Sequence, residues 1–156
     1  MATINAAISV TSDVTGYGMT INNSMTMTKA GTIAGLDQAT GLVRKTLTST
    51  NEVDLLVVGA GVVADVTATK SAKLYIKNVN TDSSEYFTVG LGKASGGAAK
   101  QALSVAASDV RSVEIGRLYS GDWMIIPWVA ASDEHDVFVK PSVSTSMVIE
   151  YMVFFE

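Results

Sequence analysis

Cysteine is absent from the 156-residue sequence, and histidine occurs only once. The first absence excludes disulfides, thiolate nucleophiles and Cys-ligated metals, and the second nearly excludes the His-based zinc and iron sites. The sequence also carries no convincing catalytic signature, so we expect no enzymatic activity and no cofactor. What the protein does must then be inferred from its architecture.

Charge and long apolar runs are scarce as well. Only 17% of the residues are charged, the net charge is −4, and the 11 Lys and Arg residues are scattered, so the basic footprint of a nucleic-acid binder is missing. The most apolar stretches, 55–64 and 123–131, have about half of the ~20 residues that a membrane-spanning helix needs. The first residues lack the basic start and apolar run of a secretion signal. We expect neither a nucleic-acid partner nor a membrane partner.

Residue usage favours strands. The chain has 20 Val and 16 Thr, which pack well on a pleated surface, whereas residues that fill exposed helix faces are sparse. Alternation is clear over 73–77, where Leu74 and Ile76 share one face and two lysines the other. Pro127 indicates an edge or bulged strand, because proline cannot donate to a sheet. The pattern predicts strands over 3–10, 19–27, 42–48, 53–58, 73–77, 85–91, 112–118, 123–129, 136–140 and 147–155.

These short strands, with turns about every 8–12 residues, predict an all-β fold: an antiparallel β-sandwich of the jelly-roll or Greek-key type. The sandwich domain is expected over residues 42–156. Residues 1–41 are rich in Thr, Ser and Asn and poor in large apolar groups, so we interpret them as an extended N-terminal arm or as partial strands. One short helix is expected near 98–107.

One segment matches a dinucleotide-binding fingerprint. The apolar run 53–58 is followed by Gly59-Ala60-Gly61-Val62-Val63-Ala64, which fits G-x-G-x-x-A after a strand. The helix that should follow is not indicated, because 62–72 has no convincing apolar face, and no further βαβ units follow. We therefore interpret Gly59 and Gly61 as turn glycines and keep a nucleotide-binding enzyme as a weaker alternative.

Two polar clusters match known sites only in part. His135 lies among carboxylates at 133–136, but no nucleophile motif accompanies it, so a polar loop tip is favoured over a hydrolase site. The other cluster alternates oxygen-bearing side chains as calcium loops do, yet Ser83 stands where such a loop needs glycine, which favours a solvated turn. The members of this cluster are Asn78, Asn80, Asp82 and Glu85.

The second half of the chain has a recognisable order of strands and turns. A strand ending in Lys-Asn precedes a loop, and the next strand ends near Val-Gly. A Gly-containing turn then leads to an apolar strand, and an aromatic strand closes the chain. The segments are Leu74-Tyr75-Ile76-Lys77-Asn78, Tyr86-Phe87-Thr88-Val89-Gly90-Leu91, Gly121-Asp122-Trp123-Met124-Ile125-Ile126-Pro127-Trp128, Asp136-Val137-Phe138-Val139-Lys140 and Ile149-Glu150-Tyr151-Met152-Val153-Phe154-Phe155. Through them, residues 73–156 resemble capsid decoration (cement) proteins of tailed bacteriophages, which have a jelly-roll-like fold.

The resemblance implies a structural protein of the virion, made in the host cytoplasm and located on the capsid surface. There it would bind the major capsid protein of the assembled shell and stabilise contacts between capsomers. The main alternative is a receptor- or glycan-binding knob of a tail fibre or spike, because exposed aromatic residues can also stack on sugars.

A homo-oligomer is expected as well, and the resemblance implies three copies. The last predicted strand, 147–155, is apolar on both faces, which indicates a subunit interface. The residues expected at the oligomer or capsid interface are Met19, Met25, Met27, Ile33, Trp123, Trp128, Tyr151 and Phe155.

Overall fold

Strands form where the sequence is rich in β-branched and aromatic residues, with clear alternation of apolar and polar residues in β6. The structure is a computed structural model that describes residues 4–12, 19–29, 31–92, 113–132 and 135–156. These residues form eleven strands and one short 3₁₀ turn at Gly61–Val63. The strands are β1 (Asn5–Ser12), β2 (Met19–Thr26), β3 (Gln38–Ala39), β4 (Val43–Leu47), β5 (Val53–Leu56), β6 (Ala72–Asn78), β7 (Tyr86–Leu91), β8 (Val113–Tyr119), β9 (Trp123–Trp128), β10 (Val137–Pro141) and β11 (Met147–Phe155).

Strands β4 to β11 build an antiparallel sandwich of two sheets. One sheet has the order β4-β11-β6-β9, and the other has the order β5-β10-β7-β8. The short β3 pairs with the last two residues of β11, along the same edge of β11 as β4. The pairs are nested, because β4 pairs with β11, β5 with β10, β6 with β9 and β7 with β8. The chain from β4 to β11 is therefore one long hairpin wound into two sheets, which is jelly-roll connectivity. The predicted all-β, antiparallel jelly-roll sandwich is confirmed.

The core lies between the two sheets and is formed by the inward-facing side chains of both, most regularly on β6 and β11, where every second residue is buried. On β6, Leu74 and Ile76 are fully buried, and on β11 the same holds for Ile149 and Val153. Each such side chain contributes about 1.5–3 kcal/mol by leaving water. From the facing sheet the same cluster takes Leu55, Leu56, Phe87, Val89, Val137 and Val139.

The predicted strands agree with the structure to within about two residues at each end. The expectation for Pro127 is confirmed, since β9 is the last strand of its sheet in the described part of the chain. One strand was missed, because β3 is only two residues long and has no room for a pattern. The helix expected near 98–107 lies outside the described residues.

The glycine motif forms a turn. Gly59 and Gly61 adopt φ values of 72° and 59°, a region that glycine enters without a steric penalty. The described chain from 62 to 71 completes the 3₁₀ turn and continues through turns, with no α-helix, until β6 begins. Because β5 and β6 belong to different sheets, no βαβ unit exists here. The interpretation of both residues as turn glycines is confirmed.

The first strands stand apart from the sandwich. β1 and β2 pair in full register with each other and form a separate two-stranded sheet, which we call the N-terminal ribbon. Further along, β3 pairs with Phe154–Phe155, and the Thr40 amide donates to the Val153 carbonyl at 2.9 Å. Of the segment expected to form an arm, residues 38–40 are therefore already attached to the sandwich.

Candidate interaction surfaces

The N-terminal ribbon has one apolar and one polar face. Its register places Ile8 and Val10 of β1 on the same face as Ile21 and Met25 of β2, together with Ala6 and Asn23. The opposite face consists of Ala7 and small polar residues. Two hydrogen bonds cross it, from Ser9 Oγ to Asn22 Oδ1 at 2.7 Å and from Thr26 Oγ1 to Asn5 Oδ1 at 2.9 Å.

The apolar face of the ribbon is uncovered. Ile8, Val10, Ile21 and Met25 are 43%, 45%, 50% and 54% exposed, and the substantial contacts of each strand are with the other. Neither strand contains a charged residue. A two-stranded ribbon is marginally stable on its own, and a sheet face without a cover is typical of a surface that binds another molecule.

Several contacts hold together the root of the ribbon, which we define as residues 27–29 and 34–37. Met27 and Leu36 are buried, the Met27 amide donates to the Ile4 carbonyl at 2.9 Å, and the Leu36 amide donates to the Met27 carbonyl at 2.7 Å. Lys29 Nζ lies 2.8 Å from an Asp37 carboxylate oxygen, and this hydrogen bond holds the pKa of Asp37 below its ordinary value. These contacts join the end of the ribbon to the segment that follows it.

A second apolar surface lies on the outside of the β4-β11-β6-β9 sheet. The register aligns Met152 of β11, Tyr75 of β6 and Ile125 of β9 in one row across the sheet. All three side chains point away from the core and are partly exposed. The rows on either side add Trp123 and Phe154 to this surface, together with Arg44, Glu150, Lys77, Lys73 and Pro127. We call it the outer sheet face.

An ion pair borders the outer sheet face. Arg44 Nε lies 2.8 Å from Glu150 Oε2, and the Tyr75 hydroxyl donates to the other carboxylate oxygen of Glu150 at 3.4 Å. Burial, followed by the charge of Glu150, raises the pKa of Tyr75, so its hydroxyl remains a donor at neutral pH. The side chain of Arg44 is 68% exposed while that of Glu150 is 9% exposed. Charged residues thus lie in both rows beside the middle row, with Arg44, Glu150 and Lys77 on one side and Lys73 on the other, and the middle row itself carries no charge.

Aromatic side chains are exposed where β8 leads into β9. The rings of Tyr86 and Tyr119 lie 5.2 Å apart at 51°, and the Arg117 guanidinium stands 4.5 Å above the Tyr86 ring. Tyr119 and Trp123 are 42% and 46% exposed. This edge carries flat apolar groups beside a cation, a combination that can stack on a planar or sugar-like ligand.

The residues expected at an interface divide into two groups. Met25, Ile33 and Trp123 are exposed, Ile33 at 98% on the loop beside the ribbon. The side chain of Met19 lies outside the described residues, although its backbone begins β2 opposite Ser12. Four others are buried within this chain: Met27, Trp128, Tyr151 and Phe155.

The burial of these four residues has local causes. Tyr151 and Phe155 occupy the inward positions of β11, and Trp128 closes the core while its indole N–H donates to the His135 carbonyl at 2.8 Å. Met27 is held in the ribbon root. The partly or fully exposed apolar residues that the sequence did not single out include Ile8, Val10, Ile21, Tyr75, Ile125 and Met152; the alternation 6, 8, 10 in β1 was the available signal.

The side chains of the two polar clusters make hydrogen bonds within the fold. Ser132 Oγ lies 3.2 Å from His135 Nδ1 within one turn, while Asp136 is buried and accepts the Val58 amide at 2.7 Å. Asn78 is fully buried and its amide donates to the Leu118 carbonyl at 3.0 Å. Across the residues that the structure describes, no group of three or more His, Asp or Glu side chains is placed to hold a metal ion.

The same described part of the chain contains no helix long and apolar enough to span a membrane. Comparison with known proteins adds no relative: the sequence matches no protein-family model, and the search of curated proteins returns no significant match.

Proposed function

We propose that this protein is a structural component of a virus particle, a capsid decoration protein that binds the assembled shell and stabilises the contacts between capsomers. The observation that carries the proposal is the N-terminal ribbon, an uncharged sheet whose apolar face is uncovered. An uncovered apolar face of this kind can be buried when the chain binds into a larger assembly. The jelly-roll sandwich and the resemblance of residues 73–156 to phage decoration proteins favour a virus capsid as that assembly.

The mechanism follows from mass action. A protein that binds the assembled shell but not free capsid subunits stabilises the shell by the free energy of binding at every occupied site. Each contact is small, but a shell repeats it many times. The sandwich supplies a rigid body for this purpose, because its core is continuous between the sheets and its two longest central strands, β11 and β6, pair over seven residues.

Reconstitution with the capsid protein encoded by the same genome tests the proposal. The purified chain is mixed with assembled shells or with free capsid subunits, and each mixture is sedimented. We expect co-sedimentation with shells only, together with a higher melting temperature of the decorated shells. The proposal fails if the chain binds neither form, or if it binds free subunits as well as shells and leaves the melting temperature unchanged.

A receptor- or glycan-binding knob of a tail fibre is the second candidate. The observation that favours it is the set of exposed aromatic residues around the β8–β9 turn, where Tyr119 contacts the Tyr86 ring below Arg117 and Trp123 is exposed at the start of β9. A glycan array probed with the purified chain discriminates between the two roles. Selective sugar binding that is lost in Trp123→Ala supports the knob, and the absence of any sugar binding leaves decoration as the better account.

A further inference from the structure

We propose that the β5-β10-β7-β8 sheet binds an acidic saccharide on the side that points away from the core, with Arg117 on the sugar carboxylate and Tyr119 against the sugar ring. The inference rests on the receptor- or glycan-binding candidate above and names the class of sugar. It also commits that candidate to one sheet and to one cation.

The register arranges this side of the sheet in rows. Tyr86 and Tyr119 are partners in one row, and Lys140, Thr88 and Arg117 are aligned in the next row across β10, β7 and β8. The core residues that alternate with them along the strands are Phe87, Val89, Leu118 and Val139. The side chains of both rows therefore point away from the core.

Arg117 is held by the two tyrosines and still faces solvent. Its guanidinium stands 4.5 Å from the centre of the Tyr86 ring, and the rings of Tyr86 and Tyr119 lie 5.2 Å apart. A hydrogen bond with the Tyr119 side chain, followed by the electrostatic interaction with Tyr86, raises the pKa of Arg117. Arg117 is nevertheless exposed. Because its planar fork of N–H donors is already oriented, it can bind a carboxylate through two parallel hydrogen bonds at a small cost in conformational entropy.

The tyrosine row supplies a surface for the sugar ring. Tyr119 is 42% exposed beside the guanidinium, and an aromatic ring can pack against the C–H face of a sugar while the sugar hydroxyls stay in water. A sugar on Tyr119 would bring its own carboxylate within reach of Arg117. Lys140 is exposed two strands away, about 10 Å along the row, so it can meet an acidic group on a further sugar unit.

The charges nearby favour a sparsely charged ligand. The row beyond the two cations has a carboxylate residue at each end, Asp54 on β5 and Glu114 on β8. The charge of Glu114 already acts on Arg117, and the net charge of the chain is −4. These carboxylates repel a polyanion that carries a phosphate on every unit, such as a nucleic acid. A sugar chain with one carboxylate per unit can instead reach Arg117 from the tyrosine row.

An array of matched acidic and neutral oligosaccharides tests the inference, with sialyllactose paired with lactose and trigalacturonate paired with its methyl ester. We expect at least one acidic probe to bind the purified chain at least tenfold more tightly than its neutral partner, and this preference should weaken as salt is added. Arg117→Gln should weaken the binding at least tenfold. The matched control is Lys77→Gln, which removes the same charge from the outer sheet face and should change the affinity less than twofold. Tyr119→Leu, a second variant at the site, should weaken the binding as well.

Three results would overturn the inference: no preference for acidic probes, a preference that survives in Arg117→Gln, or equal binding of an oligothymidylate through Arg117. Near-ultraviolet circular dichroism checks that each variant keeps the native fold. Sugar binding that is lost in Trp123→Ala but kept in Arg117→Gln contradicts the inference and leaves the receptor-binding candidate standing. Co-sedimentation with shells is measured independently, so the decoration proposal is decided by that assay alone.

Discussion

Phe138 occupies the space that a side chain at Gly90 would need. The two residues are register partners on β10 and β7, and both are buried. Val137 and Val139 face the core cluster on either side of Phe138, so the aromatic ring lies on the other side of the sheet, across Gly90. A Cβ at position 90 would overlap ring atoms of Phe138 and the carbonyl oxygen of Val113.

Gly90→Ala should therefore destabilise the sandwich by about 2 kcal/mol, because overpacking forces the ring or the backbone to move. Urea unfolding followed by circular dichroism measures the change. Gly116→Ala is the matched control, since a Cβ there would meet open space, and it should be neutral or slightly stabilising. Equal stability of the two variants would show that the Gly90–Phe138 packing is not as described.

Asn78→Ala should cost about 1–3 kcal/mol. The Asn78 amide donates to the Leu118 carbonyl at 3.0 Å in a fully buried site, and its side-chain oxygen accepts the Asn80 amide at 3.0 Å. Removing the side chain leaves these buried groups without that partner. Thermal unfolding measures the loss, with the exposed Asn51→Ala as the control expected within about 0.5 kcal/mol of the native chain. A neutral Asn78→Ala would contradict the buried network.

Lys29→Met should raise the pKa of Asp37 towards its ordinary value of 3.8. The hydrogen bond from Lys29 lowers this pKa in the folded chain, so the stabilisation it gives is present above the ordinary pKa and is lost as the pH falls through the folded-state pKa. Carboxyl-carbon NMR titration measures the change. Asp82 is the internal control, because its pKa is lowered by Ser84, and it should titrate unchanged. If the pKa of Asp37 were the same in Lys29→Met as in the native chain, the ion pair between Lys29 and Asp37 would be contradicted.

Amides of the ribbon should exchange with solvent faster than those of β6 and β11 in dilute protein. Isolated two-stranded sheets open readily, whereas central strands open only with the whole domain. Hydrogen exchange read by mass spectrometry measures the exchange rates of both sets of amides. Protection of the ribbon equal to that of β11 at every dilution would contradict its description as a separate appendage.

Much of the fold was predictable from local pattern. Alternation such as Leu74 and Ile76 between lysines specifies a strand and its inward face, because a period of two leaves only one face apolar. The role of Gly59 and Gly61 as turn glycines was also predictable, because residues 62–72 lack the apolar face that an amphipathic helix would need.

The pairing and the surfaces were harder to predict. Arg44 and Glu150 meet across β4 and β11 although they are 106 residues apart, and nothing local encodes that partnership. Strand β11 is apolar on both faces, so the sequence could not tell that Tyr151 points inward and Met152 outward. The two tryptophans of β9 differ for the same reason: Trp128 closes the core, while Trp123 reaches solvent.

The number of copies in purified particles tests the decoration proposal most directly. Quantitative mass spectrometry of virions from the source of this gene, normalised to the major capsid protein, gives that number. The account predicts hundreds of copies per particle, located on the capsid surface. A few dozen copies confined to the tail would support the receptor-binding alternative, and complete absence from the particle would contradict a structural role in the virion.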